Sequence, residues 1–255
     1  MKANHSAPYI GFKNKMLHFS DDIEYVDILY STIKKEHIPS NATKLFFNQS
    51  PKKHPSISRY SICDDNRLQV IRHLKSSIYS SYIKDSYEEL TIYLRGITLE
   101  AYKNATVNPG RIIGEHTIKM SSVDILTGIS NGTLAQTVID SMFQSLEAEK
   151  STISLIEKTC SKLGLNISKQ CINDAVYYLE IRHKLVHTDG YADEEFKKTH
   201  PRLRYTNKNY IDLTYKTILD FRRTLFKLVD EFDSEALNKH IVYPQRLNAE
   251  PCKCQ

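Results

Sequence analysis

The sequence is short of the residues that interrupt regular structure. Eight glycines and eight prolines in 255 residues leave long stretches without a breaker. Where apolar residues then recur at threes and fours, an all-α fold is the expectation. Long apolar runs are missing too: no window approaches the roughly 18 residues of a membrane-crossing helix, so no membrane partner is expected. The first twenty residues, MKANHSAPYIGFKNKMLHFS, hold no continuous apolar segment, which predicts no secretory leader. Cysteine is sparse and irregularly spaced, at Cys63, Cys160, Cys171, Cys252 and Cys254. A chain of this length buries enough surface to need no disulfide or metal staple. A reducing cytoplasm is the expected setting, in which the Asn-x-Ser/Thr triplets at Asn41, Asn104, Asn131 and Asn166 carry no sugar. Cys252 and Cys254 alone have metal-site spacing; with no second Cys or His pair nearby, neither a structural metal nor a cofactor is expected.

Several catalytic signatures are also absent. There is no Gly-rich phosphate loop and no G-x-S-x-G elbow. His183 and His187 stand four apart, as two metal ligands on a helix would, but the glutamate of a HExxH protease would have to stand at Lys184. What is present is a globular composition, 40% hydrophobic and 25% charged, with a formal net charge of +5. That balance suits a polyanionic partner without requiring one.

Apolar periodicity predicts a first helix over about 21–35, through Ile23, Val26, Tyr30 and Ile33. Segment 48–59 is rich in Pro, Ser and Lys and reads as a linker. A long pattern over 64–104 predicts one extended helix, or two with a kink, closed by a turn at Asn108-Pro109-Gly110. Residues 111–131 are less regular, with RIIGEHTIKM as a short strand or loop and a short helix near 123–126. Further helices are expected at 132–147, 150–163 and 168–187, with Ser151 and Ser168 as N-caps and Gly164 and Gly190 as stops. A polar loop over 191–209 leads to a last helix near 210–236. The organisation read from this is an N-terminal extension over 1–60 with one or two short helices, a helical domain over 61–240, and a flexible tail over 241–255.

The helix expected at 168–187 ends in RHKLVH. At roughly 100° per residue, Ile172, Ala175, Val176, Leu179 and Val186 share an apolar face. His183 falls within that face, His187 lies beside it, and Arg182 stands at its other edge. Burying such groups without partners is costly. Either they are satisfied inside the core, or the face opens on a pocket or a second subunit. An arginine four to six residues before a histidine also occurs at Arg67/His73 and Arg111/His116, so the bare spacing is weak. Only Arg182/His187 adds a polar second position, the apolar spacer Leu185-Val186, a helix end and an Asp-Gly sequel.

With those features, EIRHKLVHTDGYADEEF resembles the signature of the HEPN superfamily, whose ribonucleases carry Arg, a polar residue that is often Asn, a mostly apolar spacer and then His. The DG-x-A-D-x-x-F sequel and the upstream FQSLEAEKSTISLIEKTCSKLGL resemble single-domain members associated with bacterial toxin–antitoxin and antiphage loci. The similarity covers about 64–236, is strongest over 143–197, and does not extend to the first sixty residues. His183 replaces the frequent Asn.

The resemblance implies a HEPN-like helical bundle acting as a metal-independent endoribonuclease, a toxin or antiphage effector, with a neutralising antitoxin or defence-system partner. It makes His187 the principal catalytic histidine and Arg182 the phosphate clamp, with His183 orienting substrate or sharing proton transfer. Histidine suits the proton work and arginine the phosphate. Arg182 and His187 lie about 140° apart on an ideal helix, an awkward half-site in one protomer. Two copies would complete it, as HEPN nucleases do, so a homodimer with a composite site is expected. Lys184, His200, Arg202 and Arg204 are further candidates for RNA contact, the last three within the basic and aromatic run HPRLRYTNKNY. Asp193–Glu195 reads as the cap of a short helix. The alternative is a non-catalytic HEPN-like module that binds RNA or nucleotide or mediates assembly.

Overall fold

A computed structural model describes residues 5–34, 50, 52–54, 56, 64–148 and 151–245, with backbone alone at 64–67. The protein is all-α. In chain order the described elements are α1 (Ala7–Lys34), α2 (Asp64–Lys103), α3 (Pro109–Ile113), α4 (Ser122–Ser130), α5 (Leu134–Ala148), α6 (Thr152–Leu163), α7 (Lys169–His187), α8 (Glu194–Thr199), β1 (Arg204–Tyr205), β2 (Ile211–Asp212) and α9 (Tyr215–Asn238). None of these helices is long and apolar enough to cross a membrane. Most of linker 48–59, Cys63 and the Cys252/Cys254 pair lie outside the described residues.

α2 is a single helix of 40 residues, in line with its unbroken period. Its interior hydroxyls do not disrupt it, because Thr91 and Thr98 donate to the carbonyls of Tyr87 and Leu94 one turn earlier. α1 begins at Ala7, well before the expected Asp21. Ser6 accepts from the Tyr9 amide and Pro8 sits in the first turn, two start signals in sequence. The turn expected at Asn108-Pro109-Gly110 is instead the start of α3, with Asn108 as N-cap. Ser151 and Ser168 cap α6 and α7 as expected, accepting from Ser154 and Cys171.

The chain divides into two compact units, one drawn from Met1–Lys15, Tyr87–Ile181 and Asp220–Gln255, the other from Met16–Ser86 and Arg182–Leu219. This division does not follow the expected boundary near residue 60. In the first unit, Phe12 lies 6.0 Å from Tyr93 and 5.6 Å from Phe226, ring centre to ring centre. The backbone of Gly96 passes so close to Pro8 that a Cβ there would stand 3.1 Å from the proline ring. Asp233, fully buried, accepts from the Ser6 amide and hydroxyl and meets His5 Nδ1 at 3.1 Å. The Gln245 amide donates to the His5 carbonyl at 2.8 Å. Ile241 and Val242 are buried, so the expected tail from 241 does not begin there; residues 246–255 lie outside the described part.

The other unit is anchored by Asp27, which accepts from Tyr79 at 2.9 Å and pairs with Lys75 at 2.6 Å. Burial, reinforced by the Asp27 hydrogen bond, holds the Tyr79 phenol well above its usual pKa. The loop expected over 191–209 is more ordered than its polarity suggests. It contains α8 and β1, and β1 pairs with β2 (Arg204 with Asp212, Tyr205 with Ile211) where the last helix was expected to begin; that helix starts at Tyr215 instead.

Candidate functional site

α7 buries its apolar face through Ile172, Ala175, Val176 and Leu179, and the face then runs out into solvent. Val186 is 45% exposed, and His183 and His187 are exposed beside it. Of the alternatives left open by the sequence, burial in the core is thus ruled out for both histidines. One helical turn apart, their rings lie 4.6 Å centre to centre with planes inclined by 48°. Arg182 is half-buried at the base of this turn. Two adjacent imidazoles on an exposed surface can reach one ligand together, and either can accept or donate a proton there.

The end of α7 is held by the residues that follow it. Asp189 and Gly190 both take left-handed backbone, at φ 52° and 84°. The Gly190 amide returns to the Lys184 carbonyl at 2.9 Å, and the Thr188 hydroxyl donates to the same oxygen at 3.0 Å. Ile211 and Ala192 then stitch the segment to the hairpin, through Ile211 N–H to Gly190 C=O and Ala192 N–H to Asn209 C=O. Asp193 caps α8 by accepting from the Phe196 amide at 2.8 Å, and it pairs with Lys184 across 2.5 Å. The Lys184 hydrogen bond and then the Phe196 amide hold the Asp193 carboxyl below its ordinary range. The Asp-Gly-x-Ala-Asp-x-x-Phe run is therefore a brace, with Ala192 and Phe196 as its buried contacts.

The four further cations separate. Lys184 is committed to Asp193 and lies 5.3 Å above the Phe196 ring. His200 is 2% exposed, so it is not a surface contact for RNA. Its ring stacks on Phe196 at 3.9 Å and its Nδ1 meets Thr199 Oγ1 and the Phe196 carbonyl. Arg202 and Arg204 are exposed. The competing pair Arg111/His116 has structural partners: Arg111 holds the Ser161 carbonyl through two N–H donors at the C-terminus of α6, and His116 Nε2 meets Ser141 Oγ. The Arg67 side chain is outside the described part. His73 is exposed.

Sequence reading missed a cleft of about 1170 Å³ beside the end of α7. Its rim carries Lys34, Arg72, Lys75, Lys84 and Arg204, against the carboxylates Asp189 and Asp212. Ser76, Ser77, Ser80 and Ser81 of α2 add short hydroxyl side chains to its lining. The doubled serines of KSSIYSSYIK were its one visible signal, spaced so that both pairs fall on one helix face. Leu185, Asp189 and Gly190 line this cleft, whereas Arg182, His183 and His187 do not. Among the described residues, no group of three or more His, Cys, Asp or Glu side chains is placed to hold a metal ion.

These features stand without a relative to interpret them: the chain matches no known family model, no characterised protein and no solved structure.

Proposed function

We propose that the chain is a HEPN-type endoribonuclease that cleaves RNA without a metal. The observation that carries this reading is the exposed pairing of His183 and His187 at 4.6 Å, one step beyond Arg182 at the end of a braced helix. In the proposed reaction a histidine takes the proton of a ribose 2′-hydroxyl, whose oxygen attacks the adjacent phosphorus. The P–O5′ bond breaks, and the leaving 5′-oxygen receives a proton from a second histidine. Arg182 offers two N–H donors to the phosphate oxygens as charge builds on them. The products are a 2′,3′-cyclic phosphate and a 5′-hydroxyl. His187 is assigned the principal proton transfer, with His183 as its partner or as the group that orients the substrate.

Val186, exposed between the two histidines, supports an isologous dimer in which a second α7 covers this face and completes the site. By the same resemblance the chain would serve as a cytoplasmic toxin or antiphage effector, held in check by a partner protein.

The test is cleavage of total RNA by the full chain and by His187→Ala. Because His187 is exposed, the substitution leaves the fold intact. The expected result is cleavage by the parent alone, with cyclic-phosphate ends and no loss on adding a chelator. Equal cleavage by both proteins, or activity that a chelator abolishes, overturns the mechanism. No cleavage by either would assign the same surface to a non-catalytic module. Fully active monomers on dilution would overturn the composite site.

A further inference from the structure

The cleft beside α7 has a chemistry of its own. Four of its five cations, Lys34, Arg72, Lys84 and Arg204, form no ion pair among the described residues, while Lys75 is neutralised by Asp27. Positive charges are not gathered in one concavity without cost, since each raises the energy of the others. An anion that enters removes that repulsion and is held by charge-assisted hydrogen bonds. Ser76, Ser77, Ser80 and Ser81 of α2 add hydroxyl donors to the same lining. At about 1170 Å³ the space is larger than one phosphate needs and lies just above the usual range of small-molecule pockets, about 300–1,000 Å³.

The remaining lining is not that of a plain phosphate site. Tyr30 and Tyr210 also line the cleft, and Tyr210, 42% exposed, suits stacking on a planar base. Asp189 and Asp212 supply acceptors that an inorganic anion cannot use but that ribose hydroxyls and base amino groups can. Nor is it the groove of a strand cut at the histidine pair, because none of Arg182, His183 and His187 lines it. We propose that this cleft binds a nucleoside polyphosphate: the phosphates lie between Arg72, Lys84, Lys34 and Arg204, and the nucleoside lies toward Tyr210 and the two carboxylates. Because Leu185, Asp189 and Gly190 border it, the bound nucleotide tightens the helix end that carries the histidines. This site does not depend on the nuclease reading.

Isothermal titration of the full chain with ATP, GTP, tripolyphosphate and a ten-nucleotide single-stranded RNA tests the proposal, with melting temperature followed in parallel. The expected result is binding of at least one nucleotide, more tightly than tripolyphosphate, with a rise in melting temperature that grows with ligand concentration. Arg72→Ala and Lys84→Ala should each weaken that binding about tenfold, the loss of one charge-assisted contact. His187→Ala should leave it unchanged, so failure of the nuclease reading would not touch this result. Arg72 is exposed, and a melting curve matching the parent's certifies the fold of its variant. No nucleotide binding, tripolyphosphate binding as tightly as ATP and GTP, binding of the RNA alone, or affinities unmoved by both substitutions would each overturn the proposal.

Discussion

Lys184 and Asp193 close the end of α7 onto α8, with Nζ 2.5 Å from Oδ2. The lysine lies between Arg182–His183 and Val186–His187 in sequence, so the element that presents the histidines is tied by the residue in its middle. The same carboxylate caps α8, and one side chain therefore fixes two helix termini.

This bond is expected to be pH-dependent. The Asp193 carboxyl is held below its ordinary range by Lys184 and the Phe196 amide, so its contribution is present above the unfolded value of about 3.9 and is lost as pH falls through the lower folded value. Asp193→Asn keeps an N-cap acceptor and removes the charge. Its melting temperature should lie below the parent's at neutral pH and converge with it in strong acid. A gap that is constant with pH would show that the charge contributes nothing.

Gly190→Ala tests the left-handed stop. At φ 84° an alanine is strained whatever the space around it, at a cost of about 1–2 kcal/mol. The new Cβ would meet Leu185 Cδ2 at only 3.4 Å, an ordinary contact, so the cost is one of backbone. Denaturant unfolding would measure it, and an unchanged midpoint would contradict the assigned backbone.

Cys160 and Cys171 are buried, and burial pushes each thiol up to about 12. Both should resist alkylation by iodoacetamide near neutral pH and react only after denaturation. Peptide mapping by mass spectrometry reads this out residue by residue. Rapid labelling of either in the native protein would refute their placement.

Phe232→Ala should cost about 3–5 kcal/mol, the usual penalty for deleting a fully buried ring. Phe232 is 0% exposed and lies 6.5 Å from Tyr93. Tyr25→Ala, at a site 71% exposed, should fall within about 0.5 kcal/mol of the parent. Paired chemical denaturation checks the contrast.

The helices were legible where the sequence carries its own punctuation. α2 follows from an unbroken period, α6 from Ser151 and Gly164, and α8 from Asp193 three residues before Phe196. α1 was cut short because Lys13, Lys15 and His18 are interspersed among Tyr9, Phe12, Met16 and the buried Ser20, hiding a three-and-four spacing that runs on to Ile23. The hairpin was illegible because two-residue strands hold too few positions to show alternation. It is made by backbone contacts, such as Thr206 N–H to Tyr210 C=O and the left-handed Asn209.

At the candidate site, helix geometry was legible and burial was not. Helix angles correctly grouped His183 with Val186 and His187, but periodicity does not say where an apolar face leaves the protein. His200 was misplaced because a histidine in a basic run reads as a surface cation, whereas stacking on Phe196 makes it interior. The doubled serines aside, the cleft was not legible. Its cations come from α1, α2 and β1, segments that only tertiary structure brings to one concavity.

The clasp of His5 and Ser6 on Asp233 has a consequence for biosynthesis. Its partners lie 228 and 227 residues apart in sequence, so the start of α1 emerges from the ribosome long before the carboxylate that receives it. At about 5–20 residues per second the wait is roughly ten to fifty seconds. The unit that contains both cannot close until Asp233 has left the ribosome. Through that wait Phe12 lacks the Phe226 ring it later packs against.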